Sequence, residues 1–321
     1  MDRLVSVIIP CYNAELYVEQ AVLSIMNQTY NKLEIIVIND ASTDNTGEIL
    51  KRLASLDERI MYIENRENIK LVDRLNKGIS LASGEFIARM DADDISMPLR
   101  IERQVEFLLS NPSVGVVGTN ALLIKENNVG KLFSKPLLDK EIKLELFINS
   151  PFIHPSVMMN RSLLDKVGGY SSNYYQVEDF ALWVEMSVLT NFANLSEPLI
   201  CYRIVENSET RVSQSNRNLK HKYLKLVYKR LFEIEGIDID EVQLNNYTYS
   251  MFRPNFSEIN YKILSTCYDK IVAHCGNKKI INLLLKRWFG SLIYGGKSFK
   301  NLKYFFPSFF YSRILRRKVS G

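Results

Sequence analysis

Cysteine is scarce. The 321 residues hold four, Cys11, Cys201, Cys267 and Cys275, and no pair has C-x-x-C spacing. That argues against a zinc ribbon, a thioredoxin-like redox pair and a disulfide scaffold, and it suits a reducing compartment. Long apolar runs are missing too: no stretch of about 18 residues could span a bilayer as a helix. Met1-Asp2-Arg3 leads directly into a short strand-like segment, without the apolar stretch and small-residue cleavage site of a signal peptide. No G-x-x-x-x-G-K-[ST] loop occurs. The first strand exits into Pro10-Cys11-Tyr12-Asn13 instead of G-x-G-x-x-G, which counts against an ATPase and a nicotinamide enzyme. Acidic residues are absent from residues 270–321, which carry 12 Lys or Arg. The rest of the chain has 29 basic against 36 acidic residues, a net of −7 under an overall +5. An acidic body and a basic tail therefore need separate accounts. With 46% hydrophobic and 24% charged residues, the composition is globular.

The apolar pattern alternates between strand and helix. Residues 4–9, LVSVII, are a continuous β-branched run, as in a strand buried on both faces. Helical spacing follows over 15–27, with Val18, Val22, Ile25 and Met26 on one face. Leu33 to Ile38 predicts a second strand, the stretch to about 55 a second helix, and Ile60 to Ile63 a third strand. A helix over 70–82, a strand over 85–90, a helix over 98–110 and a strand at 114–117 continue the alternation. Such a pattern means a mostly parallel sheet with helices on its faces. After about residue 120 the regularity weakens. A hairpin and a helix fit 121–150, a strand 155–159, a helix 178–190 and a last strand 199–203. From about 215 the spacing is helical, which divides the chain into an α/β domain over 1–214 and a helical region over 215–321.

In an open parallel sheet, ligands bind beyond the carboxyl ends of the strands. Acids stand at those ends. Asp40 follows the second strand, and Asp91 and Asp93 follow the fourth with Ala92 between them. Extended geometry points Asp91 and Asp93 to the same side, where paired carboxylates suit Mg²⁺ or Mn²⁺ bound with substrate phosphates. Asp93 could equally cap a helix, as could Asp94 or Ser96. Asp40 before Ser-Thr-Asp is also ordinary turn chemistry.

Five segments together carry a resemblance: VSVIIPCYN at 5–13, VINDASTDNT at 37–46, NKGISLASGEFIARMDADD at 76–94, VGGY at 167–170 and EDFALW at 178–183. In this order they resemble the inverting family 2 glycosyltransferases of the GT-A fold that build bacterial surface polysaccharides, over about residues 3–210. The resemblance implies an α/β GT-A domain with a Rossmann-like nucleotide-binding half, followed by a helical C-terminal extension. It implies that Pro10, Tyr12 and Asn13 line the nucleotide pocket, that Asp40 holds the base, uracil or another, and that Asp91 with Ala92 lies near the ribose. Asp93 is then the D-x-D acid that binds the metal. Asp179 is the general base for the acceptor hydroxyl, with Glu178 beside it to make it a better base.

Two departures stand out. Where relatives often have Asn-x-Gly, this chain has Asn68-Ile69-Lys70, and Lys70 could approach a phosphate. Where they often have Tyr-Arg-x-His, it has Tyr202-Arg203-Ile204-Val205, and Val205 cannot ligate a metal. Three further residues are candidate phosphate or acceptor contacts: Arg89 and His154, each with a structural alternative, and Trp183, which fits a core as well as an acceptor site.

The expected activity is transfer of a sugar from a nucleotide-sugar, with a UDP-sugar as the expected donor, to a hydroxyl of a glycan or lipid-linked acceptor. The competing readings are a nucleotidyltransferase making a nucleotide-sugar and a non-catalytic glycan- or nucleic-acid-binding protein. The first would show a Gly-rich loop after the first strand; intact Asp93 and Asp179 argue against the second, so no nucleic acid is expected. Trp288, Phe289, Tyr294 and seven further aromatics up to Tyr311 lie among the basic residues of 270–321. Basic and aromatic residues together suit peripheral contact with an anionic membrane. They would place the protein in the cytoplasm at the inner face of the cell membrane; the alternative is that they pack a helical subdomain.

Overall fold

The structure, a computed structural model, describes residues 3–125, 128–205, 217–252 and 258–294. The chain forms two compact units. One comprises residues 1–142 and 150–208, the other residues 143–149 and 209–321.

The first unit opens with β1 (Val5–Cys11), α1 (Val18–Met26), β2 (Leu33–Asn39), α2 (Thr46–Leu56), β3 (Ile60–Glu64), α3 (Lys70–Leu81) and β4 (Phe86–Arg89). The strands stand in the order β3-β2-β1-β4, all parallel. Every residue of β1 is buried, which explains its unbroken apolar run. The helix α3 approaches closely because Gly78 has no side chain. A Cβ there would lie 2.5 Å from Ile8 Cγ2.

Beyond β4 the sheet turns mixed. β5 (Ile95–Ser96), α4 (Arg100–Ser110) and β6 (Val114–Lys125) come next, then β7 (Asn128–Phe133) and α5 (Asp139–Glu145). β8 (Met158–Asn160), α6 (Arg161–Val167), α7 (Glu178–Met186) and β9 (Asn191–Arg203) follow. The sheet continues β4-β8-β6-β9-β5. β8 is antiparallel to both β4 and β6, β6 is parallel to β9, and β5 is antiparallel to β9. β7 folds back on β6 as the expected hairpin. The strand anticipated at 114–117 runs eight residues further, and the one anticipated at 199–203 begins at Asn191. The two are long because they pair with each other, a partnership that local periodicity does not display. The result is a mostly parallel curled sheet flanked by helices.

The second unit is helical: α8 (Arg217–Glu235), α9 (Glu241–Met251), α10 (Tyr261–Cys275) and α11 (Lys278–Tyr294). Asp240 starts α9 with a reciprocal capping box to Gln243. Tyr228, Tyr247 and Tyr268 form an edge-to-face series with ring centroids 5.0 and 6.0 Å apart. Tyr228 donates its hydroxyl to the Ile148 carbonyl at 2.9 Å, which ties residues 143–149 into this unit. Trp288 is 1% exposed in the same core, so this aromatic of the basic region packs a helical subdomain. Residues 295–321, with most of the aromatics and basic residues assigned to membrane contact, lie outside the described residues. Among the described residues, no helix is long and apolar enough to cross a membrane.

Candidate active site

The loops after β1 and β2 are laced together by side chains. Asn13, at φ 47°, donates its N–H to Ser42 Oγ (3.0 Å) and accepts at Oδ1 from the Thr43 N–H (2.8 Å). Ala14 N–H donates to Thr46 Oγ1, and Glu15 N–H to Asp44 Oδ2. Pro10 is buried in β1 opposite Ile38, whereas Tyr12 is 42% exposed. Of the three residues expected to line a nucleotide pocket, Tyr12 and Asn13 thus lie at the surface and Pro10 supports them from inside.

Asp40 is fully buried, and both its oxygens are occupied. Oδ1 accepts from Asn65 Nδ2 (2.7 Å) and the Ile69 N–H (3.0 Å); Oδ2 accepts from the Lys70 N–H (3.2 Å) and pairs with Arg74 Nε at 3.2 Å. It therefore satisfies free N–H groups at the start of α3 and neutralises a buried guanidinium. Lys70 takes φ 71° at that corner, and its side chain is exposed.

Asp91, Asp93 and Asp94 form a tight cluster beyond β4. Each offers a carboxylate oxygen, and these atoms all lie within 4.8 Å of one another. Asp91 is held by Arg89, whose Nη1 donates to Oδ2 at 2.7 Å and whose Nη2 pairs with Oδ1. Asp94 is buried. Its Oδ1 accepts the Arg203 N–H at 2.8 Å, while its Oδ2 has no partner among the described residues. A buried oxygen left open costs free energy unless something positive meets it. Burial, and then the neighbouring Asp91, push Asp93 up to about 7; the same two causes, with Asp93 added, push Asp94 well above the usual carboxylate range. Three converging carboxylates, with the ionised forms of Asp93 and Asp94 disfavoured and one oxygen of Asp94 unsatisfied, fit a hard divalent cation.

Beneath this cluster lies a buried polar support. Arg100 donates to the Arg89 carbonyl (2.6 Å) and to Gln104 Oε1 (3.1 Å), and Gln104 donates to the carbonyls of Val117 and Ser156. Burial lowers Arg100 to about 9.

Tyr170 links the cluster to the other acid. Its backbone exchanges two hydrogen bonds with the Asn76 side chain, at 2.8 and 2.9 Å. Gly169 permits this at φ 76°, where a Cβ would lie 2.6 Å from Asn76 Oδ1. The Tyr170 hydroxyl meets His154 Nε2 at 2.8 Å and sits in the fields of Arg89, Asp179, Glu178 and Asp91. Burial, followed by Arg89, pushes His154 well below its ordinary value, so the imidazole is neutral near pH 7. Asp179, in the first turn of α7, accepts from Ser150 Oγ at 2.8 Å and is half-buried; Glu178 is buried.

The structure thus brings Arg89, Asp91, Ala92, Asp93, His154, Glu178 and Asp179 into one neighbourhood connected through Tyr170 and Asp94. Trp183 needs correction. It is 0% exposed and packs edge-on to Phe152 (5.0 Å) and His154 (6.1 Å), so it is a core residue that holds His154 and not an acceptor contact. Sequence reasoning missed Arg74, Asn76, Asp94, Arg203 and Tyr170 as site residues. Asn76 and Asp94 bound the 76–94 segment, Tyr170 lies in VGGY and Arg203 in the Tyr-Arg segment, but nothing local marks Arg74, and Asp94 reads equally as a cap.

The geometry has known counterparts. The family model described as Glycosyl transferase family 2 matches residues 6–168. An uncharacterized glycosyltransferase of Haemophilus influenzae is 37% identical over 233 residues, which are 69% of this chain and 72% of that protein. WfgD of Escherichia coli, a UDP-Glc:alpha-D-GlcNAc-diphosphoundecaprenol beta-1,3-glucosyltransferase, is 31% identical over 235 residues, 73% of this chain and 86% of its own. Among solved structures, S. aureus TarS 1-349 in complex with UDP-GlcNAc aligns with a TM-score of 0.63 at 15% identity, covering 86% of this chain and 82% of that one. At that identity the likeness is one of fold, the GT-A fold. By the family match and the similarity of its relatives, the chain belongs to glycosyl transferase family 2.

Proposed function

We propose that the chain transfers a sugar from a UDP-sugar to a hydroxyl of a lipid-linked or glycan acceptor, with inversion, during the building of a surface polysaccharide. The observation that carries this is the carboxylate cluster of Asp91, Asp93 and Asp94, with the Tyr170 hydroxyl lying in the fields of both Asp91 and Asp179. Asp93, with the open oxygen of Asp94, would hold a Mn²⁺ or Mg²⁺ ion, which when bound neutralises the charge of the departing diphosphate. Arg89 keeps Asp91 oriented at the ribose side. Tyr12 and Asn13 border the nucleotide, and the loops fixed by Asp40 form its floor. Asp179 takes the proton of the acceptor hydroxyl, a role worth about 10²–10⁴ in rate. Ser150 orients that carboxylate by donating to Oδ2, which leaves Oδ1 to the acceptor. Attack opposite the leaving diphosphate inverts the anomeric carbon in one displacement. The names of WfgD and of the TarS complex support a UDP-sugar donor, and that of WfgD a diphospholipid acceptor.

The test is a screen of nucleotide-sugars for transfer and donor hydrolysis, with Mn²⁺ or Mg²⁺ and with chelator. Asp179→Asn should bind donor as the unaltered chain does and lose transfer by at least about a hundredfold. Transfer at the unaltered rate would remove Asp179 as the base. We further propose that residues 270–321 bring the enzyme to the cytoplasmic face of an anionic membrane. Because Trp288 belongs to a core, the informative truncation removes only residues 295–321. It should weaken sedimentation with anionic vesicles, and undiminished sedimentation would reject membrane contact through this segment.

A further inference from the structure

Arg203 ends β9, and the register of that strand decides where it falls. Ile95 pairs with Cys201 and Ser96 with Ile200, antiparallel, so chain two residues beyond Cys201 runs back alongside the acidic loop at 91–94. Arg203 there makes three hydrogen bonds and one cation–π contact. Its N–H donates to Asp94 Oδ1 at 2.8 Å, and its Nε donates to the Asp93 carbonyl at 2.7 Å. Its Nη2 donates to Gln20 Oε1 at 2.8 Å, and its guanidinium carbon lies 4.4 Å from the centre of the Tyr17 ring, both on the α1 side. The side chain is desolvated, with Arg203 only 7% exposed, a setting in which both the cation–π contact and the charge-assisted hydrogen bonds are strong.

The consequence for Asp94 is specific. With Oδ1 pinned by the Arg203 N–H, the carboxylate has its rotation fixed, and Oδ2 is the oxygen left without a partner. With its carbonyl held by Arg203 Nε, the Asp93 peptide cannot turn, and the Asp93 side chain keeps its direction.

We propose that Arg203 is a positioning residue for cation binding: it clamps the 93–94 peptide to α1 and so presets the carboxylates that receive the divalent ion. This rests on the reading of Asp93 as a metal ligand. Groups that orient ligands without touching the metal typically change its affinity 10–100-fold when removed. Arg203→Gln should therefore weaken Mn²⁺ binding, read by calorimetry on the full chain, by about tenfold or more. Transfer at saturating Mn²⁺ should fall much less, and Arg203→Lys should lie between the two. If Arg203→Gln fails to fold, Gln20→Ala and Tyr17→Leu decide. Each removes one anchor of the clamp and leaves the others, so it should weaken Mn²⁺ binding by less than loss of the whole clamp, about two- to fivefold, at an unchanged melting temperature. Unshifted Mn²⁺ affinity in these variants, beside normal binding by the unaltered chain, overturns the clamp alone. No Mn²⁺ binding by the unaltered chain overturns the metal reading and the clamp with it.

Discussion

At the scale of single residues, aspartates that look alike in the sequence do different work. Asp40 and Asp93 each follow a sheet strand, yet Asp40 accepts three hydrogen bonds and pairs with Arg74, while carboxylate oxygens of Asp91, Asp93 and Asp94 lie within 4.8 Å of one another. The difference is one of partners. Arg74 and the start of α3 lie within reach of Asp40. The acids at 91–94 lie next to one another and share Arg89 and Arg203. Asp40→Ala would take this carboxylate from the buried Arg74 guanidinium and the acceptor from the Asn65 amide and the Ile69 N–H. Its expected cost is about 3–5 kcal/mol, read from the denaturant midpoint. A loss under about 1 kcal/mol would mean that Asp40 does not organise this corner. That an acid stands at each place was legible in the sequence. Its partners were not, because Arg203 lies 109 positions from Asp94 and no local pattern joins them.

At the scale of elements, the loop between β4 and β5 gathers three acids within 4.8 Å of one another. Asp93 is raised from its ordinary value to about 7, so the folded chain holds a proton that the unfolded chain has lost. The stability this contributes is complete below the unfolded value of 3.8 and disappears as pH rises through about 7. Metal-free protein should accordingly lose about 1 kcal/mol between pH 6 and pH 8 from this group, and Asp93→Asn should flatten that dependence. A steeper loss in the variant than in the unaltered chain would contradict the assignment. The elements carrying this loop were readable: β1, β2 and β4 show continuous apolar runs because both their faces are buried. The short β8, by contrast, owes its place to partners on both sides, β4 and β6, and the turn His154–Ser156 replaces the first residues expected of that strand.

At the scale of the molecule, the first unit carries both the laced loops after β1 and β2 and the acids, while the helical unit has its own aromatic core around Tyr247 and Trp288. The change to helical spacing near residue 215 was visible in the sequence. The assignment of residues 143–149 to the helical unit was not, since it depends on backbone carbonyls that accept from Tyr228 and Tyr247. Trp183 shows the complementary failure: an aromatic one turn after an acid reads equally as a site or a core residue, and only its burial among Phe152 and His154 decides. The central claim is that Asp93 joins a divalent cation to the donor's diphosphate. Its most direct test is UDP binding by calorimetry, with Mn²⁺ and with chelator, to the unaltered chain and to Asp93→Asn. Mn²⁺ should tighten UDP binding at least about tenfold in the unaltered chain and leave the variant unaffected. Equal tightening in both, or none in either, would contradict the account.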